Sequence, residues 1–328
     1  MSLFGGYARS RAGHALASLL ILTCADAVAA PLCAPSQDGP NSEQLKHGMD
    51  PHASLRERVA PPSPEAISTY VQSGATAARA HRLTSEEWSQ IELALAALPA
   101  LHRHFLGKHL RHLSFIDVPD GAGNGLTTVV SDGDFPVFDL TLRAGILNET
   151  LSEFLTIKEQ RVFSEDGSGT TVSINAPGGA LVYVLLHEST HVVDRALQLT
   201  MKLDPRFTAG IWLDRTRLDE PWSAMALASN AFRRKPKVPI SEAPTLYASL
   251  AGSPFVSLYA TAAAPEDFAE LVAWQALVLK TAHPLEIIVR DRSGVPVYRL
   301  EPLRQPKVGS RLAAVDALLR ECRTGREG

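Results

Sequence analysis

The spacing of apolar residues changes period several times along the chain, and each change marks an element. From Pro64, the positions Ile67, Tyr70 and Val71 repeat with helical spacing. A second helix is predicted from Thr84, whose hydroxyl and Glu87 form a capping box, through Trp88, Ile91, Leu93 and Leu95 to a break at Pro99. Strands are predicted over 113–118, 126–130 and 137–142. Between the first two lies Gly121-Ala-Gly-Asn-Gly125. A phosphate-cradling loop needs a helix behind it, and here Thr127-Thr-Val-Val130 follows in extended form, so the loop reads as a turn. Helical spacing returns over 142–158, and Thr170 to Ile174 alternates like a strand, ending at Asn175-Ala-Pro-Gly-Gly179.

Next comes a helix apolar on nearly all sides. Leu181, Val182, Val184, Leu185 and Leu186 precede His187-Glu188-Ser-Thr-His191, and Val192, Val193, Ala196 and Leu197 follow it. Such a helix belongs in a core. Histidine and glutamate are costly to bury there unless something pairs with them. Two histidines four residues apart project from one helical face, so both imidazoles can grip one metal ion. Glu188 is then placed to reach a water beside that ion, the arrangement of a zinc hydrolase. The alternative is a pair of buried histidines bonded only to their neighbours.

A hydrolytic zinc site wants a third protein ligand. The best candidate follows Pro265, which suits the start of a helix, with Glu266 and Asp267 in the first turn where the helix dipole favours acids. Glu266 is assigned as the ligand. Glu270, on the same face, is expected to orient a ligand histidine through its other ring N–H. Asp194, one turn beyond His191, is read in a similar supporting role, and Asp194 or Asp267 as ligand in place of Glu266 stays open.

His-Glu-x-x-His on one helix with Glu266-Asp-Phe-Ala-Glu270 on a later one resembles the gluzincin-type zinc metallopeptidases. In these two segments, about 180–198 and 253–275, the chain is similar to the anthrax lethal factor catalytic domain and to the membrane metalloproteases that process prenylated proteins. The resemblance implies that Tyr259, seven residues before Glu266, supports the oxyanion. The alternative for Tyr259 is a core tyrosine with a bonded hydroxyl. The element order predicts an α+β fold, a zincin-like lobe with a buried metal helix, a small mixed sheet and a later ligand-bearing helix. Thr170 to Ile174, just before the metal helix, is the expected cleft edge that pairs with a peptide backbone, or else an ordinary sheet strand. The 199–252 connection, with Trp212 and Trp222, is expected to wall the cleft or to be helical packing. Beyond the ligand helix, 285–289 and 297–300 predict a hairpin across Asp291-Arg-Ser-Gly294, and 310–320 a final helix.

Composition narrows the class. A chain of 328 residues with net charge −3 and 45% hydrophobic residues suits a globular protein. Its one tight basic cluster, Arg233-Arg-Lys-Pro-Lys237, reads as a solvated loop, and nothing calls for nucleic acid. Arg9 and Arg11, the apolar run Ala15 to Thr23 and the small residues Ala27-Val-Ala29 read as a signal peptide over 1–29, with a lipoprotein anchored at Cys24 as the alternative. No later segment is apolar and long enough to span a membrane. The expected location is periplasmic or secreted. Residues 30–63, rich in Pro, Ser, Asp and Gly, read as a flexible leader to a catalytic domain over 64–328. Cys33 and Cys322 form a disulfide in an oxidising compartment or remain two free thiols. The functional expectation is an exported metallopeptidase acting on a peptide or protein with Zn²⁺ as cofactor, Glu188 as general base and Tyr259 assisting. The rivals are a zinc amidase for cell-wall peptides and a non-catalytic exported metal-binding or interaction module. Oligomeric state is not legible.

Overall fold

The computed structural model describes Cys33 and residues 42–119, 123–278 and 285–322. The signal peptide and Cys24 expected from sequence lie outside the described residues. Among the described residues the fold is mixed α and β with three small sheets. Its helices are α1 Ser42–Lys46, α2 Pro64–Gln72, α3 Ser85–Ala97, α4 Ala100–His109, α5 Leu151–Gln160, α6 Ala180–Leu197, α7 Pro205–Thr208, α8 Ala243–Ala251, α9 Ala264–Val278 and α10 Pro306–Arg320. The strands are β1 Arg79–Ala80, β2 Leu110–Asp117, β3 Gly125–Ser131, β4 Val137–Arg143, β5 Phe163–Ser164, β6 Thr171–Asn175, β7 Val238–Pro239, β8 Glu286–Arg290 and β9 Pro296–Leu300.

The largest sheet runs β1-β2-β4-β3, with β2 and β4 parallel and both outer strands antiparallel to their neighbours. β4 is buried along its whole length, as a central strand must be. Its polar residues are paired: Asp139 accepts from Arg111, and Thr141 meets Ser114 at 2.9 Å. The second sheet, β6-β8-β9, is antiparallel and contains the predicted hairpin. The third is the short parallel pair β5 and β7.

α6 lies at the centre, in contact with α9, α4, α3 and α5 and with strands β3 and β4. No Gly or Pro interrupts its 18 residues. Leu181, Val184, Leu185, Leu186, Val192 and Val193 are buried, each contributing roughly 1.5–3 kcal/mol of burial. Gln198 ends the helix in the left-handed conformation, and Leu199 N–H donates back to the Asp194 carbonyl.

Several sequence expectations are corrected here. Residues 142–158 are not one helix: β4 runs to Arg143, a 3-10 turn covers Ala144–Leu147, and α5 starts after Thr150, which forms a capping box with Glu153. Leu142 belongs to the sheet interior, where its apolar side chain imitates helical spacing with the residues beyond. Pro99, read as a break, is the N-cap of a further helix, α4. The final helix begins at Pro306, earlier than expected. The stretch read as a flexible leader is packed from residue 42 onward. Gln44 donates to the carbonyls of Gly107 and Lys108 at 3.0 Å each, and the buried Arg58 guanidinium donates to Gly107 and Leu110. Those carbonyls at the end of α4 lack helical partners, and the polar composition of the leader supplies the donors. Cys33 is joined to Cys322 across 289 residues, with their Cα atoms 5.2 Å apart. Among the described residues no helix is long and apolar enough to cross a membrane.

Candidate metal centre

α9 packs against α6 so that Glu266 meets both histidines. Glu266 Oε2 lies 3.1 Å from His187 Nε2 and 3.6 Å from His191 Nε2. The three ligand atoms all fall within 4.8 Å of one another. A tetrahedral ion held at about 2.0–2.2 Å spaces its donors by roughly 3.4 Å. Two imidazole nitrogens and one carboxylate oxygen at this separation could hold a metal ion. Without a cation the same contacts are ion pairs. Burial pushes the His187 imidazolium down, but Glu266 and Glu270 outweigh it and hold the pKa at about 9. His191 moves upward against burial for the same reason, chiefly Glu266. Burial pushes Glu266 up, but His191 and His187 hold its carboxyl well below the usual range.

Behind the triad lies Glu270, 1% exposed. Its Oε1 is 3.1 Å from His187 Nδ1, close enough to pair although not aligned as a hydrogen bond. Lys158 Nζ donates to Glu270 at 3.0 Å, Ser257 Oγ donates at 2.7 Å, and the Tyr183 hydroxyl donates as well. Burial opposes ionisation of Glu270, but Lys158 and His187 hold it below its ordinary pKa. Glu270 thus presents a fixed carboxylate to His187 Nδ1, the ring nitrogen on the side away from Glu266.

Glu188 points out of the core toward the cleft. Its Oε2 accepts a 2.9 Å bond from the hydroxyl of Thr127 on β3. Gly125, the first residue of β3, stands directly against it: a Cβ there would lie 2.3 Å from Glu188 Oε1. Glycine is required here by close approach and not by backbone conformation. Tyr259 sits in a 3-10 turn, Tyr259–Thr261, with its ring 5.8 Å from that of His187 and packed on Phe232. Burial, then the carboxylates of Glu266 and Glu188, raise its hydroxyl pKa well above the ordinary value. The phenol is therefore a proton-bearing donor at neutral pH.

Two hollows meet at this group and share Gly125, Glu188 and Tyr259. One, of about 170 Å³, reaches Phe154, Lys158, Arg161 and Phe232. The other, of about 360 Å³, reaches Val129, His191, Met201, Arg215 and Glu266. Together they form a cleft along β3.

The structure brings His187, His191, Glu266, Glu188, Tyr259 and Glu270 together. Asp194, expected to support the histidines, instead binds Thr200: its Oδ1 accepts from the Thr200 N–H at 2.8 Å and its Oδ2 from the hydroxyl at 2.6 Å. It fastens the turn that ends α6. Asp267 is turned away from the histidines and takes two bonds from Arg311, at 2.7 and 2.9 Å, and one from Trp212 at 2.8 Å. Trp212 therefore anchors α9, and the cleft wall from the 199–252 connection comes from Met201, Arg215 and Phe232. The cleft edge is β3 and not 170–174. The outer side of β6 is occupied by α5, where Thr156 and Ser152 accept from the Ile174 and Ala176 N–H groups at 2.9 Å. Sequence reasoning missed Gly125, Thr127, Lys158, Tyr183 and Ser257. Gly125 was hidden as a signal because it closes Gly121-Ala-Gly-Asn-Gly125, which reads as a turn, although it opens β3. No family model, curated protein or solved structure matches the chain.

Proposed function

We propose that the protein is an exported zinc-dependent metallopeptidase of zincin-like architecture. His187, His191 and Glu266 would hold Zn²⁺, the choice of ion resting on two imidazoles and one carboxylate at near-tetrahedral spacing. Zinc, when bound, supplies a Lewis acid and lowers the pKa of a water toward about 7. Glu188 accepts the proton of the attacking water, held toward the cleft by the Thr127 hydroxyl. The proton passes from Glu188 to the leaving amine. Tyr259, kept protonated, donates a hydrogen bond to the developing oxyanion. β3 ends its sheet, and among the described residues no strand pairs with its outer side, so an extended peptide has backbone partners along the cleft. The positively charged, then apolar N-terminal sequence and the Cys33–Cys322 disulfide support export.

The observation that carries this reading is the placement of Glu188. It sits beside the triad without joining it, in a notch that a glycine leaves open. Glu188→Gln keeps the shape of the side chain but cannot take a proton near neutral pH. The variant should retain wild-type zinc content and folding and lose about 10²–10⁴-fold in peptide turnover. Normal turnover in the zinc-loaded variant, or absence of turnover in the wild type across peptide libraries, would leave only a metal-binding module.

A further inference from the structure

The smaller hollow holds two cations of unequal standing. Lys158 is committed: its ammonium bonds Glu270 and the Tyr183 hydroxyl, both at 3.0 Å, and it sits 3.9 Å from the centre of the Tyr259 ring. Arg161 is not. It follows α5 as its C-cap, half-buried, and among the described residues no carboxylate or carbonyl accepts from its guanidinium. It lines three hollows that converge at this end of the cleft. Nearby Arg143 is held by Glu149 at 2.6 Å and Asn124 at 3.0 Å, so the surplus positive charge falls on Arg161. The one described carboxylate on the wall of the smaller hollow is Glu188, which is bonded to Thr127. Phe154 and Phe232 close the flanks and limit water.

We infer that Arg161 is a specificity-determining residue that seats a substrate carboxylate in this hollow, next to the bond being cleaved. The inference takes the cleft as the peptide site proposed above and names its substrate class: peptides with an acidic group beside the cleaved bond. A guanidinium offers a planar fork that matches a carboxylate in two parallel bonds, and the partly enclosed setting strengthens that pairing over one in open water. The carboxylate comes either from an Asp or Glu side chain or from the end of a peptide chain.

Two measurements test this on the full-length, zinc-loaded protein. The first is peptide binding by calorimetry to Glu188→Gln, which does not consume its ligand. The peptides carry Glu, Gln or Lys at each position in turn, with free or amidated ends. Peptides with one acidic group should bind about 10- to 100-fold tighter than their neutral counterparts. Adding Arg161→Ala should collapse that ratio toward one, and Arg161→Glu should invert it in favour of Lys. A preference tied to an internal Glu identifies the side chain, and one abolished by amidation identifies the chain end. The second is cleavage by otherwise wild-type protein, where the same ratios should appear in kcat/KM. Arg161-dependent acidic binding without any cleavage would keep this inference and sink the peptidase. Cleavage or binding with no acidic preference, or a preference unchanged in Arg161→Ala and Arg161→Glu, would overturn the inference and leave the peptidase standing.

Discussion

Replacing Gly125 by Ala should separate the chemistry from the metal with a single methyl group. The added Cβ would lie 2.3 Å from Glu188 Oε1, 2.5 Å from Cδ and 2.6 Å from Cγ. Ordinary contacts are longer by about 1 Å, so the Glu188 carboxylate has to move by about that much. The backbone of Gly125 is not in the left-handed region, and the three nearest atoms all belong to one side chain whose end opens on the cleft. The stability cost is therefore small, about 1 kcal/mol or less, as for other substitutions outside the tightly packed core. The functional cost is not small. A displacement near 1 Å in a catalytic group lowers rate by about 10²-fold. It also carries Glu188 off the Thr127 hydroxyl that fixes it. The variant should thus unfold at nearly the wild-type temperature, bind stoichiometric zinc and cleave peptides about 10²-fold more slowly. Metal content by atomic absorption, thermal unfolding and peptide turnover together check this. Wild-type turnover in Gly125→Ala would refute the argument that the notch positions a base, whereas lost zinc would mean that β3 supports the triad itself.

Other consequences are simpler to state. His191→Ala removes one of three donors, so purified protein should hold no stoichiometric zinc; full zinc occupancy would dissolve the centre. Asp267→Asn strands the Arg311 guanidinium in the core, 7% exposed, and should destabilise by about 3–5 kcal/mol in urea unfolding; a cost below about 1 kcal/mol would mean that α9 is not anchored there. Burial raises the carboxyl of Glu159 to about 7 from an ordinary 4.5, although Tyr247 donates to it at 2.8 Å. The folded state keeps that proton longer than the unfolded one, so stability falls as pH rises from about 4.5 to about 7, by about 3 kcal/mol in all. Glu159→Gln, neutral throughout, should be more stable than wild type at pH 8 and equal to it near pH 4; a gap that does not grow with pH would contradict the burial of an uncompensated charge.

Much of the centre was legible because it is local. The His187–His191 pair and the acids of α9 need only helical periodicity, and all-round apolarity placed the histidine helix in a core. What joined them, across the turns between residues 199 and 252, was not readable from spacing. The misplaced supports share one cause. Asp194 and Asp267 stand at helical offsets as good as those of Glu266 and Glu270, and only partners outside their helices, Thr200 in the turn after α6 and Arg311 on α10, draw them away. The wrong cleft edge has the same origin. Alternation marks both β3 and β6 as strands, but the covering of β6 by α5 depends on Thr156 and Ser152, which read in sequence as ordinary helix surface. The packed leader escaped because Gln44 and Arg58 are polar residues serving carbonyls of a helix that was itself unread.

A structural metal site and a hydrolytic one differ less in their ligands than in what surrounds the open side. A structural site is closed by protein, and its neighbouring acids serve the ligands. Here the two acids diverge. Glu270 faces inward, takes bonds from Lys158, Tyr183 and Ser257, and is spent on His187. Glu188 faces outward, receives one hydroxyl from Thr127, and borders two hollows with Tyr259 opposite. A glycine leaves room for the carboxylate where any side chain would displace it. An arrangement built only to hold an ion has no need of an outward acid, a proton-bearing phenol and a strand edge that no described strand pairs with at one point. Hydrolysis of an extended chain lying on β3 needs all three, which is why the surroundings of the triad, more than the triad itself, favour an enzyme.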